Sequence, residues 1–323
     1  MSAAVEQPLL ERARRGDDRA FAALAEQHRR ALHVHCYRML GSLHDAEDAV
    51  QETLLRGWRG LGGFGARASL RTWLCRIATN VCIDIAARRP PRVLPEDVAP
   101  ADDPTAQPAP DAEDVPWIEP YPDELLDELQ EEDPAHRYAE RESIELAFVV
   151  ALQRLPPLQR AVLILRDVLA YSAQETAEML DRSPQSVNSA LQRARPALAA
   201  PRTRAPEADE RRLVAAYVRA WEDADVAGLV ALLREDVHLA MPPTPSWYAG
   251  RDAVAAYFRT LFAGELGARL HLTPTRANRQ PAFLVTLDGQ PFALKLLTLE
   301  GDRIAAVTGF TEPRVVAYAI AAR

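Results

Sequence analysis

Residues 171–195 read YSAQETAEMLDRSPQSVNSALQRAR, a pattern that predicts two short helices joined by a turn. Ser172 and Glu175 have the spacing of a capping box, in which each side chain accepts a hydrogen bond from the other residue's backbone N–H. Ser183 can cap a second helix that begins with Pro184, because the first helical position needs no backbone N–H. The stretch is therefore typical of a helix-turn-helix.

The second helix of this pair is predicted to have one apolar and one polar face. Val187, Leu191 and Ala194 recur at helical spacing and should face inward. An ordinary helical hairpin with a solvated polar face is the alternative, but the paired caps and a cationic second helix without acidic residues favour DNA binding. The residues expected to contact DNA are Pro184, Gln185, Ser186, Asn188, Ser189, Gln192, Arg193 and Arg195.

The net charge of −8 arises from one segment of the chain. Residues 93–135 contain fifteen Asp and Glu and no Lys or Arg, so the rest of the chain, with 38 basic and 31 acidic residues, is net basic at +7. A basic balance outside this segment is compatible with nucleic-acid binding. The 323 residues suffice for two or three domains, each with its own core.

Composition disfavours several functional classes. No apolar run approaches the roughly 20 residues that a membrane span needs, and the N-terminus lacks a signal-peptide core, so we expect a cytoplasmic protein without a membrane partner. The three cysteines form no CxxC pair and are expected to be buried free thiols. His28, His33 and His35 lack the carboxylate or thiol that would complete a metal site, so neither a metal nor a cofactor is expected.

The first 92 residues are predicted to be helical, and one of their helices carries an acidic face. Ser42 can cap a helix on which Asp45, Asp48 and Glu52 recur at i, i+3 and i+7. Acidic residues near a helix N-terminus can simply complement the helix dipole. Glu52 lies beyond the first turn, however, so a docking stripe for a basic partner is a fair alternative.

A further helix, capped by Ser69, follows a glycine-rich loop and lies in an arginine-rich region. From Leu54 to Arg92 there are eight arginines and a single acidic residue. This density is typical of a surface that binds a phosphate backbone. Phe64 and Trp73 can stack on unpaired bases, although packing is the commoner role of an aromatic residue near a helical core.

Two blocks of sequence resemble a known family. The first contains DAEDAVQETLLRGW and FGARASLRTWLCRIATN, and the second contains LQRLPPLQRAVLILRDVLAYSAQETAEML and SVNSALQRAR. They closely resemble regions 2 and 4 of the extracytoplasmic-function (ECF) sigma factors of the sigma-70 family. The resemblance implies a subunit that directs core RNA polymerase to promoter DNA and catalyses no reaction itself. Gly57 and Pro196 depart from the family pattern, since a helix former is expected at the first position and a longer recognition helix at the second.

The resemblance also implies roles for individual residues. The residues implied to dock on polymerase are Asp45, Asp48, Gln51 and Glu52. The residues implied to handle the melted −10 strand are Phe64, Arg67, Arg71, Trp73, Arg76, Asn80, Arg88 and Arg89. The helix that begins at Pro184 would read the −35 major groove.

The acidic segment is predicted to be a linker. Its nine prolines and lack of positive charge favour an extended, self-repelling chain. Trp117, Ile118 and Tyr121 interrupt this composition and suggest a short interdomain docking motif, with linker aromatics that have no partner as the alternative. The stretch WIEPYPD also resembles the linker motif of sigma factors that carry an extra C-terminal domain.

The final 117 residues are predicted to form an α+β domain. Helices are expected over 211–221, 226–233 and GRDAVAAYFRTLF, with a strand in DVHLAMP and four later strands whose hairpin turns are Asp288-Gly289 and Glu300-Gly301. The stretches YVRAWEDADVAGLVALLREDV and YAGRDAV resemble the SnoaL-like branch of the NTF2-like superfamily, whose domains are cones with a pocket.

The role of that pocket stays open between catalysis, ligand sensing and protein contact, with protein contact favoured. Spacing alone does not show that a carboxylate or histidine has the position and pKa that acid–base chemistry needs. The residues that can converge in such a cone are Tyr217, Trp221, His238, Trp247, Tyr248, His271 and Lys295.

The predicted architecture is multidomain. Two all-α domains, sigma region 2 over 1–92 and sigma region 4 over 140–200, are joined by a linker over 93–139 and followed by an NTF2-like cone over 207–323. The predicted function is an alternative sigma factor that binds core RNA polymerase and promoter DNA, is not an enzyme, and is regulated by its C-terminal domain. In this hypothesis the C-terminal domain packs between the helical domains and uses WIEPYPD as a clamp.

Two alternatives remain at this stage. One is an NTF2-like enzyme that a DNA-binding module directs to its site. The other is a regulator that senses an unknown small ligand in the cone and binds DNA without polymerase.

Overall fold

The computed structural model describes residues 3–65, 69–126, 144–198 and 207–321. The chain forms two compact units, one built from Met1–Pro91 with Leu126–Ala199 and the other from Arg92–Leu125 with Ala200–Arg323. The blocks that resemble regions 2 and 4 therefore share one unit, here called the helical unit. The acidic segment shares the other unit with the C-terminal domain.

The region 2 part of the helical unit is built on long helices whose starts are set by local capping. Its helices are α1 (Ala3–Arg14), α2 (Asp18–Leu40), α3 (Leu43–Gly60) and α4 (Leu70–Ala86). The predicted caps of α3 and α4 are present, because the backbone N–H groups of Asp45 and Thr72 donate to Ser42 Oγ and Ser69 Oγ, both at 3.1 Å.

Gly57 shows why a glycine occupies a helical position in α3. A Cβ at this residue would meet Leu74 Cδ2 of α4 at 3.0 Å and the Phe21 ring of α2 at 3.5 Å. The departure from the family pattern fits the close packing of α3 on α4, because a Cβ at Gly57 would displace the Leu74 side chain.

A buried histidine joins α2 to α4. His35 Nε2 lies 2.9 Å from Thr79 Oγ1, and the Thr79 hydroxyl also donates to the carbonyl of Cys75 at 2.7 Å. Burial lowers the pKa of His35 to about 3, so the imidazole is neutral in the folded protein. The three cysteines are free and buried, as the sequence predicts.

The region 4 part of the helical unit is built on four short helices. They are α5 (Leu146–Gln153), α6 (Pro157–Leu163), α7 (Ala173–Leu180) and α8 (Pro184–Ala194), with a π-helical turn over Ile164–Val168 after α6. A 3-10 turn over Arg195–Leu198 follows α8, so the recognition helix ends early, as Pro196 predicts.

The C-terminal unit is an α+β domain with a single six-stranded sheet. Its helices are α9 (Glu207–Glu222), α10 (Val226–Ala231), α11 (Arg251–Ala263), α12 (Glu265–Arg269) and α13 (Pro313–Ala321). Its strands are β1 (Leu233–Ala240), β2 (Trp247–Ala249), β3 (Leu270–Ala277), β4 (Gln280–Leu287), β5 (Gln290–Glu300) and β6 (Arg303–Phe310).

The sheet has the strand order β2-β1-β6-β5-β4-β3, in which β1 and β6 are parallel and the other neighbours are antiparallel. Asp288 and Gly289 both have positive φ, at 50° and 78°, as the predicted hairpin turn between β4 and β5 requires. The core lies between the sheet and helices α9 and α11, and its largest members include Tyr217, Phe258 and Phe283. This arrangement is the cone expected from the sequence. Strand β2 and helices α12 and α13 are additions that sequence patterning did not predict.

The acidic segment does not behave as its composition predicts. Over Arg92–Leu125 it is folded against the C-terminal domain and contributes buried side chains. The start of the segment pairs with its later part at Val93. The Val93 N–H donates to Pro116 O, and the Val93 carbonyl accepts from the Ile118 N–H, both at 3.0 Å. Backbone hydrogen bonds therefore offset the self-repulsion and the cost of ordering a proline-rich chain.

Candidate nucleic-acid and polymerase interface

The helix-turn-helix is formed by α7 and α8 and has the predicted caps. Ser172 Oγ accepts from the Glu175 N–H at 3.1 Å, and Glu175 Oε2 accepts from the Ser172 N–H at 2.7 Å. The Ser186 N–H donates to Ser183 Oγ at 3.2 Å at the start of α8. Asp181 ends α7 in the left-handed conformation, at φ 53°, which turns the chain between the helices.

The two faces of α8 differ as its sequence predicts. Val187, Leu191 and Ala194 are buried, whereas its polar residues lie on the outer face. Those that are well exposed are Gln185, Asn188, Ser189, Gln192, Arg193 and Arg195, with Pro184 and Ser186 half-buried. This face presents amides, hydroxyls and guanidinium groups, which are the donors and acceptors that read base edges and phosphates.

The two arginines at the end of this face are not equivalent. Arg195 donates from Nε and Nη2 to the two carboxylate oxygens of Asp167, at 3.0 and 2.9 Å. Arg193 makes no ion pair with any residue that the structure describes. The Arg193 guanidinium is therefore the more available of the two for a phosphate.

The acidic face of α3 is partly neutralised by arginines. Asp48 and Gln51 are exposed, whereas the Glu52 carboxylate accepts from Arg56 Nε at 2.6 Å. Arg89, at the end of the α4 region, forms an ion pair with Asp45. Both pairs are at the surface, where ion pairs contribute little to stability and exchange readily with a partner's charges.

The residues expected at the −10 strand differ widely in exposure. Phe64 is buried and packs on Trp73, with ring centroids 5.0 Å apart. In the protein without DNA, these two aromatic rings therefore pack against each other. The arginines of the −10 set that are exposed on the α4 region are Arg71, Arg76, Arg88 and Arg89. Arg67 lies outside the described residues. The exposed arginines carry the positive charge expected of a phosphate-binding surface.

Asn80 of α4 faces the helix-turn-helix within the helical unit. Its side-chain amide donates to the carbonyl of Arg76 at 2.9 Å and to the carbonyl of Met179, on α7, at 3.3 Å. One residue expected to contact single-stranded DNA is thus engaged by region 4.

Further buried polar contacts join the two regions. Arg160 of α6 donates to Met39 O at the end of α2, and also to Gln153 Oε1 at 2.7 Å, Gln153 O at 2.9 Å and Leu155 O at 3.1 Å. Gln153 Nε2 donates to Arg38 O at 3.4 Å. Sequence reasoning missed Arg160, because an arginine in an amphipathic helix gives no signal that its partners are distant carbonyls.

The aromatic residues of the acidic segment are buried in the C-terminal unit. Trp117, Ile118 and Tyr121 are each no more than 6% exposed. The Tyr121 N–H donates to Asn278 Oδ1 at 2.8 Å, and the Asn278 N–H donates to Tyr121 O at 2.7 Å. Asp123 accepts from the Arg279 N–H at 2.7 Å. These reciprocal bonds hold the segment at the end of β3.

The same segment is also held near β2. Asp102 N–H donates to Trp247 O, and Trp247 Nε1 donates to Ala99 O, both at 2.8 Å. The Ala109 N–H donates to Ser246 Oγ at 2.9 Å. We call residues 92–125 the strap, because they are fixed at both edges of the sheet.

Only some of the residues expected in the cone converge there. Tyr217 and Trp221 of α9 stack, with ring centroids 6.2 Å apart, and Lys295 Nζ lies 3.7 Å from the Trp221 ring centroid. His238 is exposed beside Trp247, and His271 is exposed on β3. The list of candidates is completed by Tyr248, which is buried against Tyr257.

Comparison with curated proteins decides the family. The ECF RNA polymerase sigma factor SigG of Mycobacterium tuberculosis is 42% identical over 311 residues, which cover 93% of this chain and 82% of SigG. The chain belongs to the ECF sigma factors. It is therefore an alternative sigma factor of RNA polymerase.

Other comparisons agree with this assignment. Sigma-70 region 2 matches residues 24–90 of this sigma factor, Sigma-70 region 4 matches 145–198, and the SnoaL-like domain matches 214–312. SigW of Bacillus subtilis is 29% identical over 192 residues, covering 58% of this chain and 92% of SigW. The solved structure of SigJ from Mycobacterium tuberculosis has the same fold, with a TM-score of 0.63 and 22% identity over 92% of this chain and 98% of that one.

Within the part of the chain that the structure describes, no helix is both long enough and apolar enough to cross a lipid bilayer.

Proposed function

We propose that this sigma factor is restrained by its own SnoaL-like domain, which binds the strap and so shortens the free chain between regions 2 and 4. The observation that carries the proposal is the pair of reciprocal hydrogen bonds between Tyr121 and Asn278, at 2.8 and 2.7 Å. A sigma factor must place two DNA-binding surfaces on two promoter elements at once. A connector held over residues 92–125 limits how far those surfaces can separate.

In this proposal the acidic face of α3 docks on core RNA polymerase. Asp48 and Gln51 are exposed, and the surface pairs of Asp45 and Glu52 with arginines can be exchanged for basic groups of the polymerase. The exchange would also free Arg89 for DNA.

The two promoter elements would be read by different helices. The polar face of α8 enters the −35 major groove, with Arg193 on a phosphate. The arginines of the α4 region bind the −10 strand, and Asn80 joins them once it leaves Met179. Phe64 and Trp73 would stack on unpaired bases only after they separate.

The proposal assigns no catalysis to this chain. It places the chain in the cytoplasm, where RNA polymerase acts. In this proposal His238 and His271, which are exposed, have no part in the action of the cone. A control role for the cone remains the simpler use of a fused domain.

The test is transcription by the full chain after the strap is loosened. Asn278→Ala removes the acceptor for the Tyr121 N–H, and Asp123→Ala removes the acceptor for the Arg279 N–H. With core RNA polymerase and a genomic promoter library, we expect several-fold more run-off transcript from the double variant than from the parent. His271→Ala, an exposed change in the same domain, is the control.

A probe of strap release makes the result decisive. Trp117 is buried, so its release should increase quenching of tryptophan fluorescence by acrylamide. If quenching increases and transcript yield stays at the parental level, the SnoaL-like domain does not act through the strap. A fall in yield would give the domain an activating role, which also contradicts the proposal.

A further inference from the structure

The chain has a single lysine, and it lies on the inner face of the cone. Lys295 is the only lysine among 38 basic residues, and it is in the middle of β5. Its neighbours at i−2 and i+2, Ala293 and Leu297, belong to the core between sheet and helices. Because side chains on a strand alternate between faces, Lys295 shares that apolar face.

The Lys295 ammonium has an apolar environment. Its Nζ lies 3.7 Å from the centroid of the Trp221 ring. Its cross-strand partners are Phe283 on β4 and Gly309 on β6. Burial lowers the pKa of Lys295 to about 7, whereas a lysine in water stays charged well above that pH.

The surroundings of Lys295 have the character of a recess rather than of a filled core. The side chain is only half-buried by surface area, yet enough atoms surround its Nζ to desolvate it strongly. On the β6 side its cross-strand partner is Gly309, which has no side chain, and a Cβ there would be in ordinary van der Waals contact with Met241 Cγ, at 3.7 Å. A group that is both enclosed and reachable fits the bottom of a pocket.

A second unused polar group lies in the same cluster. The Tyr217 hydroxyl is buried and has no hydrogen-bond partner among the residues that the structure describes, and its ring stacks on Phe283 with centroids 5.4 Å apart. Phe283 is the cross-strand partner of Lys295, so the two polar groups flank one aromatic ring. A buried hydroxyl without a partner is unfavourable and indicates a group that is meant to be satisfied by something else.

We propose that the cone binds a small aromatic or alicyclic carboxylic acid, with its carboxylate on Lys295 and Tyr217 and its ring among Trp221 and Phe283. Both polar groups are donors, and a carboxylate is an acceptor only. Its negative charge compensates the buried ammonium, and the apolar walls cover the ring. The proposed site does not depend on the strap mechanism. Ligand binding is measured on the protein without polymerase, so either proposal can fail while the other holds.

Binding should depend on pH in a defined direction. The carboxylate binds the charged form of Lys295, which predominates below pH 7 in the free protein. Affinity should therefore be highest near pH 6 and about 100-fold weaker at pH 9. The titratable side chains packed around the cluster, Tyr217 on α9 and Tyr257 on α11, stay neutral because burial raises the pKa of each.

The experiment is calorimetric titration of the full chain with benzoate and 1-naphthoate. Benzamide and 1-naphthamide are the matched neutral probes. We expect the carboxylates to bind at least tenfold more tightly than the amides at pH 6, with Lys295→Met abolishing this preference. Tyr217→Phe should weaken carboxylate binding several-fold while it keeps the packed ring, and His271→Ala should leave it unchanged. Thermal melting of each variant checks that the fold persists.

Three results would overturn the proposal. The first is equal affinity for carboxylate and amide, and the second is carboxylate binding that Lys295→Met and Tyr217→Phe leave intact. The third is the absence of carboxylate binding together with an amine adduct at Lys295 after treatment with 1-naphthaldehyde and cyanoborohydride. That last result would assign the site to carbonyl compounds instead.

Discussion

The recognition face of α8 and the arginine-rich face of α4 differ in how much of each is available in the free protein. On α8 and the turn after it the polar residues point outward, and among the described residues Arg195 alone is held by an ion pair, to Asp167. On the α4 side Phe64 is packed against Trp73, and Asn80 is bonded to Met179 of α7. The polar face expected to read the −35 element is therefore exposed, whereas part of the surface expected to bind the −10 strand contacts region 4.

This difference has a physical cause. Helix α8 packs its apolar stripe against both α6 and α7, and this packing leaves its polar face exposed. The aromatics and the amide expected to handle an unpaired strand are costly to leave exposed, and the folded chain without DNA satisfies them internally. Opening the helical unit should therefore change −10 binding more than −35 binding.

The largest expected effect comes from Arg160→Met. Arg160 is buried and bonds four acceptors, so its loss leaves several carbonyls unpaired, Met39 O among them. We expect the free energy of unfolding to fall by about 3–5 kcal/mol. Urea denaturation followed by circular dichroism measures this change.

Two matched variants sharpen that result. Arg160→Lys keeps one donor group and should lose less stability, and the exposed Arg182→Met should lose almost none. If Arg160→Met retained its parental stability, or if it left binding of single-stranded −10 DNA unchanged in the folded fraction, the contacts between the two regions would not cover the −10 surface.

An effect of about 2 kcal/mol is expected from His35 on acidification. Its folded pKa is about 3 and its ordinary value is 6.5, so the unfolded chain takes up a proton that the folded chain does not. Stability is full above pH 6.5 and is lost as the pH falls toward 3, by about 2 kcal/mol between pH 7 and pH 5. Unfolding curves at these two pH values measure the loss.

His35→Gln should reduce this pH dependence, whereas His44→Gln, at an exposed position, should preserve it. Because His35 joins α2 to α4, acid should loosen region 2 before it loosens the helix-turn-helix. The arginine-rich face of α4 should therefore respond to acid before the recognition face of α8. Equal pH dependence in His35→Gln and the parent would place the acid-sensitive group elsewhere.

Much of the local structure could be predicted from the sequence. Ser42, Ser69, Ser172 and Ser183 each cap the helix they were expected to cap, because capping depends on residues within one turn. The turn at Asp288-Gly289 forms for the same reason. The family followed from the resemblance of two sequence blocks, and most of the helices and strands followed from periodicity and turn residues.

Contacts between distant residues could not be predicted in this way. Composition favoured an extended acidic segment, but composition does not reveal that Asn278, 157 residues along the chain from Tyr121, offers a matching donor and acceptor. Nor could spacing distinguish the exposed His238 and His271 from the enclosed Lys295. The strap, the joined helical regions and the lysine recess all depend on tertiary structure.

The smallest effect tests the exposed side of the comparison and uses two neighbouring arginines of α8. Arg193→Ala removes a guanidinium that makes no ion pair with any described residue, and we expect it to weaken binding of a −35 duplex by about 1 kcal/mol when the chain is bound to core polymerase. Arg195→Ala should weaken DNA binding less than Arg193→Ala does. The Arg195 guanidinium must first leave Asp167, and the loss of that ion pair offsets part of the free energy that its contact with DNA provides. Equilibrium binding at several salt concentrations separates the two variants, since loss of a phosphate contact lowers the slope of log K against log salt by about 1.

Equal losses of affinity for both variants would mean that the ion pair between Arg195 and Asp167 opens freely on DNA. A larger loss for Arg195 would mean that the face of α8 seen in the free protein is rearranged on binding, as we infer for α4.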